Sequence, residues 1–335
     1  MFKRFTFVIL LVFALASLTF AQTTLTGAGA TFPYPMYSKW FSDYHKLHSD
    51  IAINYQSIGS GGGIAQVSAG TVDFGASDGP MSDEQLSKAK TKIVHIPTVL
   101  GAVVPAYNVP GVNEELKFTP EVLAGIFLGR ITSWNDNAIQ SVNKDVKLPN
   151  TPIVVVHRSD GSGTTYVWTD YLSKVSPDWK SGPGKGTSIK WPVGLGAKGN
   201  EGVAGQIRQV EGAIGYIELI YALQNKIPYG SVKNSSGNFL KASLEGVTAA
   251  AQGAKIPNDY RVSITNAPGK DAYPISSFTW LLIPEKSADP NKGKILVDFL
   301  NWMLNDGQKE TTELSYAPLP NELATRVKET VKQLR

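Results

Sequence analysis

Three glycine- and hydroxyl-rich loops constrain this chain more than any other feature, because each stands just before a helical pattern. They are Gly27-Ala28-Gly29-Ala30-Thr31-Phe32-Pro33, Gly59-Ser60-Gly61-Gly62-Gly63 and Arg158-Ser159-Asp160-Gly161-Ser162-Gly163-Thr164-Thr165. Around them, residues 51–55, 73–76 and 153–157 read as strands. Tyr37, Trp40, Phe41, Tyr44 and Leu47 recur at three- and four-residue steps as one apolar helical stripe, and Ser82-Asp83-Glu84-Gln85 starts another helix with a capping box. Such strand–helix alternation predicts an α/β fold with largely parallel sheets.

At roughly 150 residues per domain, a chain of 335 residues should form about two units. Two apolar, proline-marked stretches, 101–110 and 272–284, suit paired crossings between two lobes. On that reading residues 22–106 plus 275–335 form lobe I and residues 107–274 form lobe II. Residues 181–186 (Ser-Gly-Pro-Gly-Lys-Gly) read as a flexible surface loop.

The loops share one chemistry. A helix N-terminus carries unpaired N–H groups and the positive end of the helix dipole, glycine lets a ligand approach the backbone, and Ser or Thr adds another donor. Together they make an anion cradle. Arg158 supplies a charge whose planar fork suits an oxyanion, and Asp160, two residues on, is placed to orient it. Asp78 ends the strand that carries Asp73-Phe74-Gly75-Ala76-Ser77, at the carboxyl edge where α/β proteins bind ligands. A carboxylate facing a bound anion is repelled unless the ligand keeps a proton to donate. Phosphate near neutral pH has such a proton and sulfate does not, so Asp78 reads as a filter.

Other motifs compete less well. Gly75-Ala76-Ser77-Asp78-Gly79 fits the G-x-S-x-G nucleophile elbow, which makes a secreted serine hydrolase using Ser77 with His95 or His157 the enzymatic rival. Pro80 and the capping box at Ser82 interrupt the helix that should follow such a nucleophile. Gly194-Leu195-Gly196-Ala197-Lys198-Gly199 fits G-x-G-x-x-G but follows Trp191-Pro192-Val193 rather than a clean strand, which argues against a dinucleotide site. Lys185 is followed by Gly, so residues 182–187 are no P-loop. His45 and His48 lack a nearby third ligand, so no metal is expected. The seven Trp read as core or cleft wall, because they are not interleaved with basic residues.

The chain begins like an address. Met1-Phe2-Lys3-Arg4 is a short basic start, and an apolar run to Phe20 ends near Ala21-Gln22, the pattern of a secretory signal peptide. Residues 1–21 are read as the removed leader, although Ala14-Leu15-Ala16 offers an earlier site. Without Lys3 and Arg4 there remain 30 basic against 28 acidic residues, a net of +2 and too little for a nucleic-acid partner. The absence of cysteine excludes disulfides, thiolate metal sites, a cysteine nucleophile and a lipid-modified N-terminal Cys. A soluble periplasmic protein is expected.

Together these segments resemble the periplasmic phosphate-binding-protein family of bacterial high-affinity phosphate ABC transporters. The likeness lies in residues 25–33, 72–78 and 158–164 and continues through 191–196, 212–216 and 272–275, nearly the whole chain after the leader. The resemblance implies a two-lobed α/β binding protein, each lobe a mixed sheet flanked by helices, with hinge crossings and a ligand cleft between lobes. It implies inorganic phosphate as ligand and neither cofactor, metal nor enzyme activity. By resemblance, phosphate is contacted by Thr31, the Phe32 N–H, Ser60 and Asp78 from the first lobe and by Arg158, Ser162, Gly163 and Thr164 from the second, with Asp160 pairing Arg158. Gly61 and Gly79 stand where relatives often carry other small residues, a difference bearing on loop flexibility. The implied partners are ABC permease subunits with their ATPase, and a monomer is expected. A phosphate sensing or storage module is the other non-enzymatic reading.

Overall fold

A computed structural model describes residues 22–334. The leader reading for residues 1–21 lies outside the described residues. In chain order the strands are β1 (Thr23–Gly29), β2 (Ile51–Ser57), β3 (Phe74–Ser77), β4 (Ile93–Tyr107), β5 (Lys117–Phe118), β6 (Val154–Arg158), β7 (Leu195–Ala197), β8 (Ala213–Glu218), β9 (Ser231–Lys233), β10 (Phe239–Leu240) and β11 (Ser276–Pro284). Eight of them make one mixed sheet in the order β2-β1-β3-β11-β4-β8-β6-β7, and β10-β9-β5 form a small second sheet.

The large sheet has two parallel ends. β2, β1 and β3 run parallel at one end, and β8, β6 and β7 run parallel at the other. Between them lie β4 and β11, antiparallel to each other. β4 belongs to both halves: Ile93–Ala102 pair with β11, while Val103–Tyr107 pair with β8. The molecule is therefore two-lobed, with the lobes joined through one continuous strand. Beside the change of partner, Val103 N–H donates to Ile275 O at 2.9 Å and Tyr273 OH donates to Val103 O at 3.0 Å.

A 15-residue strand containing two prolines needs a reason. Pro97 lies at a register shift, where Thr279 pairs with Val99 and Trp280 with Pro97, so Thr98 is left opposite no residue. A bulge tolerates a missing N–H. The freed Thr98 hydroxyl bonds Tyr37 OH at 2.8 Å and donates to Thr279 O at 3.2 Å.

The apolar stripe near the N-terminus folds as the helix Tyr34–Leu47, which buries Met36, Tyr37, Trp40, Phe41 and Tyr44. Leu47, counted in the stripe, is 64% exposed at the last residue of the helix. Burying each large side chain contributes roughly 2–3 kcal/mol, and the Trp40 indole N–H also donates to Gly307 O at 2.8 Å. Ser82 and Gln85 form the expected capping box.

Two expectations change. The 181–186 loop is pinned rather than free: Trp179 Nε1–H donates to Gly184 O at 2.8 Å, Gly186 N–H to Thr169 Oγ1 at 3.2 Å and Lys185 Nζ to Asp170 Oδ1 at 2.9 Å. Residues 256–261, assigned to the second lobe, lie against first-lobe elements. Arg326 donates to Ile256 O and Pro257 O, Trp280 Nε1–H to Tyr260 O, and Arg261 to Met81 O and Asp83. The polar carbonyls of this segment find side-chain donors on the first lobe, which composition alone does not reveal.

Candidate functional site

Each parallel strand of the two lobes ends at the same place. β1 leads to Thr31, β3 to Asp78, β6 ends on Arg158, β7 leads to Gly199 and Asn200, and β8 ends on Glu218. Ser60 opens the helix Ser60–Ala69, Ser162 caps the helix Gly163–Val175, and Asn200 lies in the first turn of Gly199–Gln209. Carboxyl ends of strands and amino ends of helices thus converge, which concentrates N–H dipoles on one cleft. Thr31, Phe32, Ser60, Asp78, Arg158, Ser162 and Thr164 are all buried there.

The lobes touch across this cleft at glycine N–H groups. Gly61 N–H donates to Gly161 O at 2.8 Å, and Gly163 N–H donates to Ser60 Oγ at 3.0 Å. A Cβ on Gly61 would stand 3.0 Å from Gly161 Cα, and one on Gly163 would stand 2.4 Å from Ser60 Oγ and 2.5 Å from Asp78 Oδ2. A Cβ on Gly79 would meet the Tyr166 ring at 2.8 Å. Gly61 and Gly79, read as points of loop flexibility, are instead points of close approach.

Arg158 is held as a bidentate fork. Its Nε–H donates to Asp160 Oδ1 at 2.7 Å and an Nη2–H to Oδ2 at 2.5 Å, while Nη1–H reaches Thr164 Oγ1 at 3.4 Å. Of five N–H donors, these contacts use three, and the guanidinium plane is fixed. Burial alone would raise the Asp160 carboxyl, but the bonds and charge of Arg158 hold it below the usual carboxylate range.

Asp78 is the opposite case. Oδ1 accepts from Thr279 Oγ1 at 2.8 Å, and Oδ2 is buried with no partner among the described residues. Burial pushes its pKa up to about 7, against the Thr279 bond and the Arg158 charge. A second buried acid, Glu218, stands beside Gly101 and Phe32. Its Oε2 accepts Ile220 N–H at 2.7 Å, Oε1 has no partner among the described residues, and burial raises its pKa well above the usual range.

Residues from the rival motifs are elsewhere or otherwise engaged. Ser77 Oγ donates to Gly79 O at 2.5 Å and accepts Gly79 N–H at 3.2 Å. His95 Nε2 accepts Met81 N–H at 3.0 Å, and His157 bonds the Arg158 carbonyl through Nδ1 and stacks on Trp191. Neither imidazole is bonded to Ser77, so the nucleophile elbow lacks its base. Among the described residues no cluster of acids and histidines is placed to hold a metal.

Asn200, Glu218 and Thr279 were absent from the site as read in the sequence. Asn200 had a signal: the G-x-G-x-x-G stretch, set aside as a dinucleotide motif, is a fourth glycine loop before a helix. Gly199 there adopts a φ of 73° and donates its N–H to Asp160 Oδ1 at 3.1 Å. Thr279 had none, because it lies mid-strand on β11.

A family model described as a PBP superfamily domain matches residues 16–307. The phosphate-binding protein PstS of Xylella fastidiosa is 47% identical over 306 residues, covering 90% of this chain and 83% of its own. The PstS of Haemophilus influenzae is 45% identical, covering 95% of each chain. Among solved structures, a periplasmic phosphate-binding protein (PfluDING) bound with phosphate superposes with a TM-score of 0.74 at 22% identity, over 92% of this chain and 93% of its own. The phosphate binding protein of Stenotrophomonas maltophilia gives a TM-score of 0.69 at 20% identity, over 92% and 93%. At these identities the structural likeness speaks for the fold.

Proposed function

The chain belongs to the PBP superfamily and within it to the PstS phosphate-binding proteins, and from that premise we propose that it binds inorganic phosphate between its lobes and delivers it to an ABC permease. The observation that carries this reading is the convergence of one fixed guanidinium, four helix N-termini and a set of buried hydroxyls on a single cleft.

The chemistry follows from hydrogen-bond polarity. Ser60 Oγ accepts from both Asp78 N–H, at 3.3 Å, and Gly163 N–H, and Ser162 Oγ accepts Thr165 N–H at 3.0 Å. Ser60, with both acceptor sites filled, can only donate, and Ser162, accepting through one, still has its proton to give. Thr31, Phe32 N–H, Ser60, Arg158, Ser162 and Thr164 act as donors to the anion and Asp160 holds Arg158, while Gly163, expected as a contact, has its N–H on Ser60 Oγ and contributes by leaving room at the seam. Asp78 Oδ2 takes the one hydrogen that phosphate retains.

Because the donors are divided between lobes, phosphate completes its bonding only when the cleft is shut, and it shifts the hinge equilibrium toward closure. Lobe I comprises residues 22–102 and 275–335 together with the 256–261 excursion, and lobe II the rest of 103–274, the boundary lying where β4 changes partner rather than after residue 106. The protein acts as a binding protein, a monomer, in the periplasm after loss of residues 1–21. It docks on the permease, whose ATPase drives the lobes apart. Among the described residues no helix is long and apolar enough to cross a membrane.

Isothermal titration of phosphate-stripped protein tests the reading. One equivalent of phosphate should bind at neutral pH with no sulfate signal. Absence of phosphate binding would overturn it.

A further inference from the structure

Asn200 is fully buried at the meeting of both lobes, and every polar atom of its side chain is accounted for. Its Nδ2 donates one hydrogen to Thr31 Oγ1 at 2.8 Å and the other to Thr164 Oγ1 at 3.0 Å. Its Oδ1 accepts Glu218 N–H at 2.9 Å. That last bond fixes which way the amide faces, because the flipped amide would set NH₂ against a backbone N–H.

The consequence lies in the two threonines. Thr31 Oγ1 also accepts the Asn200 backbone N–H at 3.2 Å, and Thr164 Oγ1 also accepts Arg158 Nη1–H at 3.4 Å. A hydroxyl has two acceptor sites and one hydrogen. With both acceptor sites filled, each threonine can only donate.

Resting on the phosphate reading above, we propose that Asn200 is a positioning residue that turns the hydroxyl protons of Thr31 and Thr164 onto the ligand. It touches the anion through neither of its own hydrogens. Thr31 follows β1 of the first lobe, whereas Asn200 and Thr164 stand on the second. The Thr31 proton is therefore set only when the lobes meet, which couples closure to donor polarity. Tyr221 OH, donating to Thr31 O at 2.5 Å, braces the same contact.

The test is a calorimetric cycle on the full mature chain with inorganic phosphate. Asn200→Ala should weaken binding on the order of 10- to 100-fold, the scale of lost hydrogen bonds to a charged group. In a Thr31→Val/Thr164→Val background, which has no hydroxyls to orient, the same change should cost less than about twofold. Asn200→Asp keeps the shape but offers only acceptors, so it should weaken phosphate more than the double valine change does. Equal losses in both backgrounds, or phosphate affinity unchanged by Asn200→Ala or Asn200→Asp, would overturn the proposal while leaving the phosphate reading intact. Failure of the unaltered protein to bind phosphate would overturn both.

Discussion

Asp78 and Asp170 are each 1% exposed, yet their surroundings shift their carboxyls in opposite directions. Asp170 sits in the second lobe with both oxygens occupied. Lys185 Nζ lies 2.9 Å from Oδ1, while Lys174 Nζ at 3.2 Å, Ser263 Oγ at 2.5 Å and Thr265 Oγ1 at 2.6 Å surround Oδ2. Burial alone would raise its pKa, but these partners pull it down to about 2. Asp78 has one hydroxyl on Oδ1 and, among the described residues, no partner on Oδ2, and burial raises it to about 7. A buried acid satisfied by its own protein is structural, tying residues 263–265 to the helix Gly163–Val175. A buried acid left with an open oxygen in a cleft is arranged for something that arrives from outside.

The largest expected effect separates the two regions by charge. Arg158→Ala removes the cation facing the Asp78 side of the cleft, leaves the half-buried Asp160 without its partner, and does not touch Asp170. Phosphate affinity should fall by about 2–5 kcal/mol, read by calorimetry. A loss under tenfold would take Arg158 out of the ligand shell.

Asp170→Ala should do the converse. Stability should drop by about 1–3 kcal/mol, the scale for leaving buried hydrogen-bond donors such as the Thr265 hydroxyl without their acceptor, since both lysines reach solvent, and appear as a lower urea midpoint. Phosphate affinity should stay within about twofold, because a residue that only ties two segments together offers the anion nothing. A weakened phosphate affinity would erase the contrast between the two acids.

Asp78→Asn should change selectivity more than stability. An amide can donate as well as accept, so sulfate competition should rise about tenfold, within the roughly 1–3 kcal/mol scale of an unpaired buried polar group. The unaltered protein should itself admit more sulfate below pH 7, where neutral Asp78 donates its own proton, and discriminate best above it. Competition that is as poor at pH 6 as at pH 8 would sink the filter.

The smallest effect is on pH-dependent stability without ligand. The folded pKa of Asp78 lies above its unfolded value near 3.9, so between about pH 4 and 7 the folded state holds the extra proton and stability declines as pH rises. Asp78→Asn should remove that slope. The folded pKa of Asp170 lies below the same reference, so its contribution is present above about pH 4 and is lost as pH falls toward 2. Denaturant midpoints across pH for the two single variants would show opposite changes. Parallel changes would mean that the two acids share one environment.

How much of this was legible varies with distance along the chain. The Arg158–Asp160 fork spans two residues, the Ser162 cap three and the Ser82 box three, and all follow from local geometry. The glycine loops announce a donor-lined cleft for the same reason, since a helix N-terminus is a property of its own few residues. Thr279 meets Asp78 across 201 residues and Asn200 meets Thr31 across 169. No spacing rule reaches that far.

The same division holds for the molecule. Strand–helix alternation, the anion-donor loops and the arginine with its acid are written in contiguous residues, and they determine the fold class and the kind of ligand. Only the packed structure decides that one proline-bearing strand serves both lobes, that Gly61 and Gly161 form the seam, and that Asp78 keeps an open oxygen near neutral pH. Ionisation and hydrogen-bond polarity depend on which groups surround an atom after water has been excluded, and those groups come from every part of the chain.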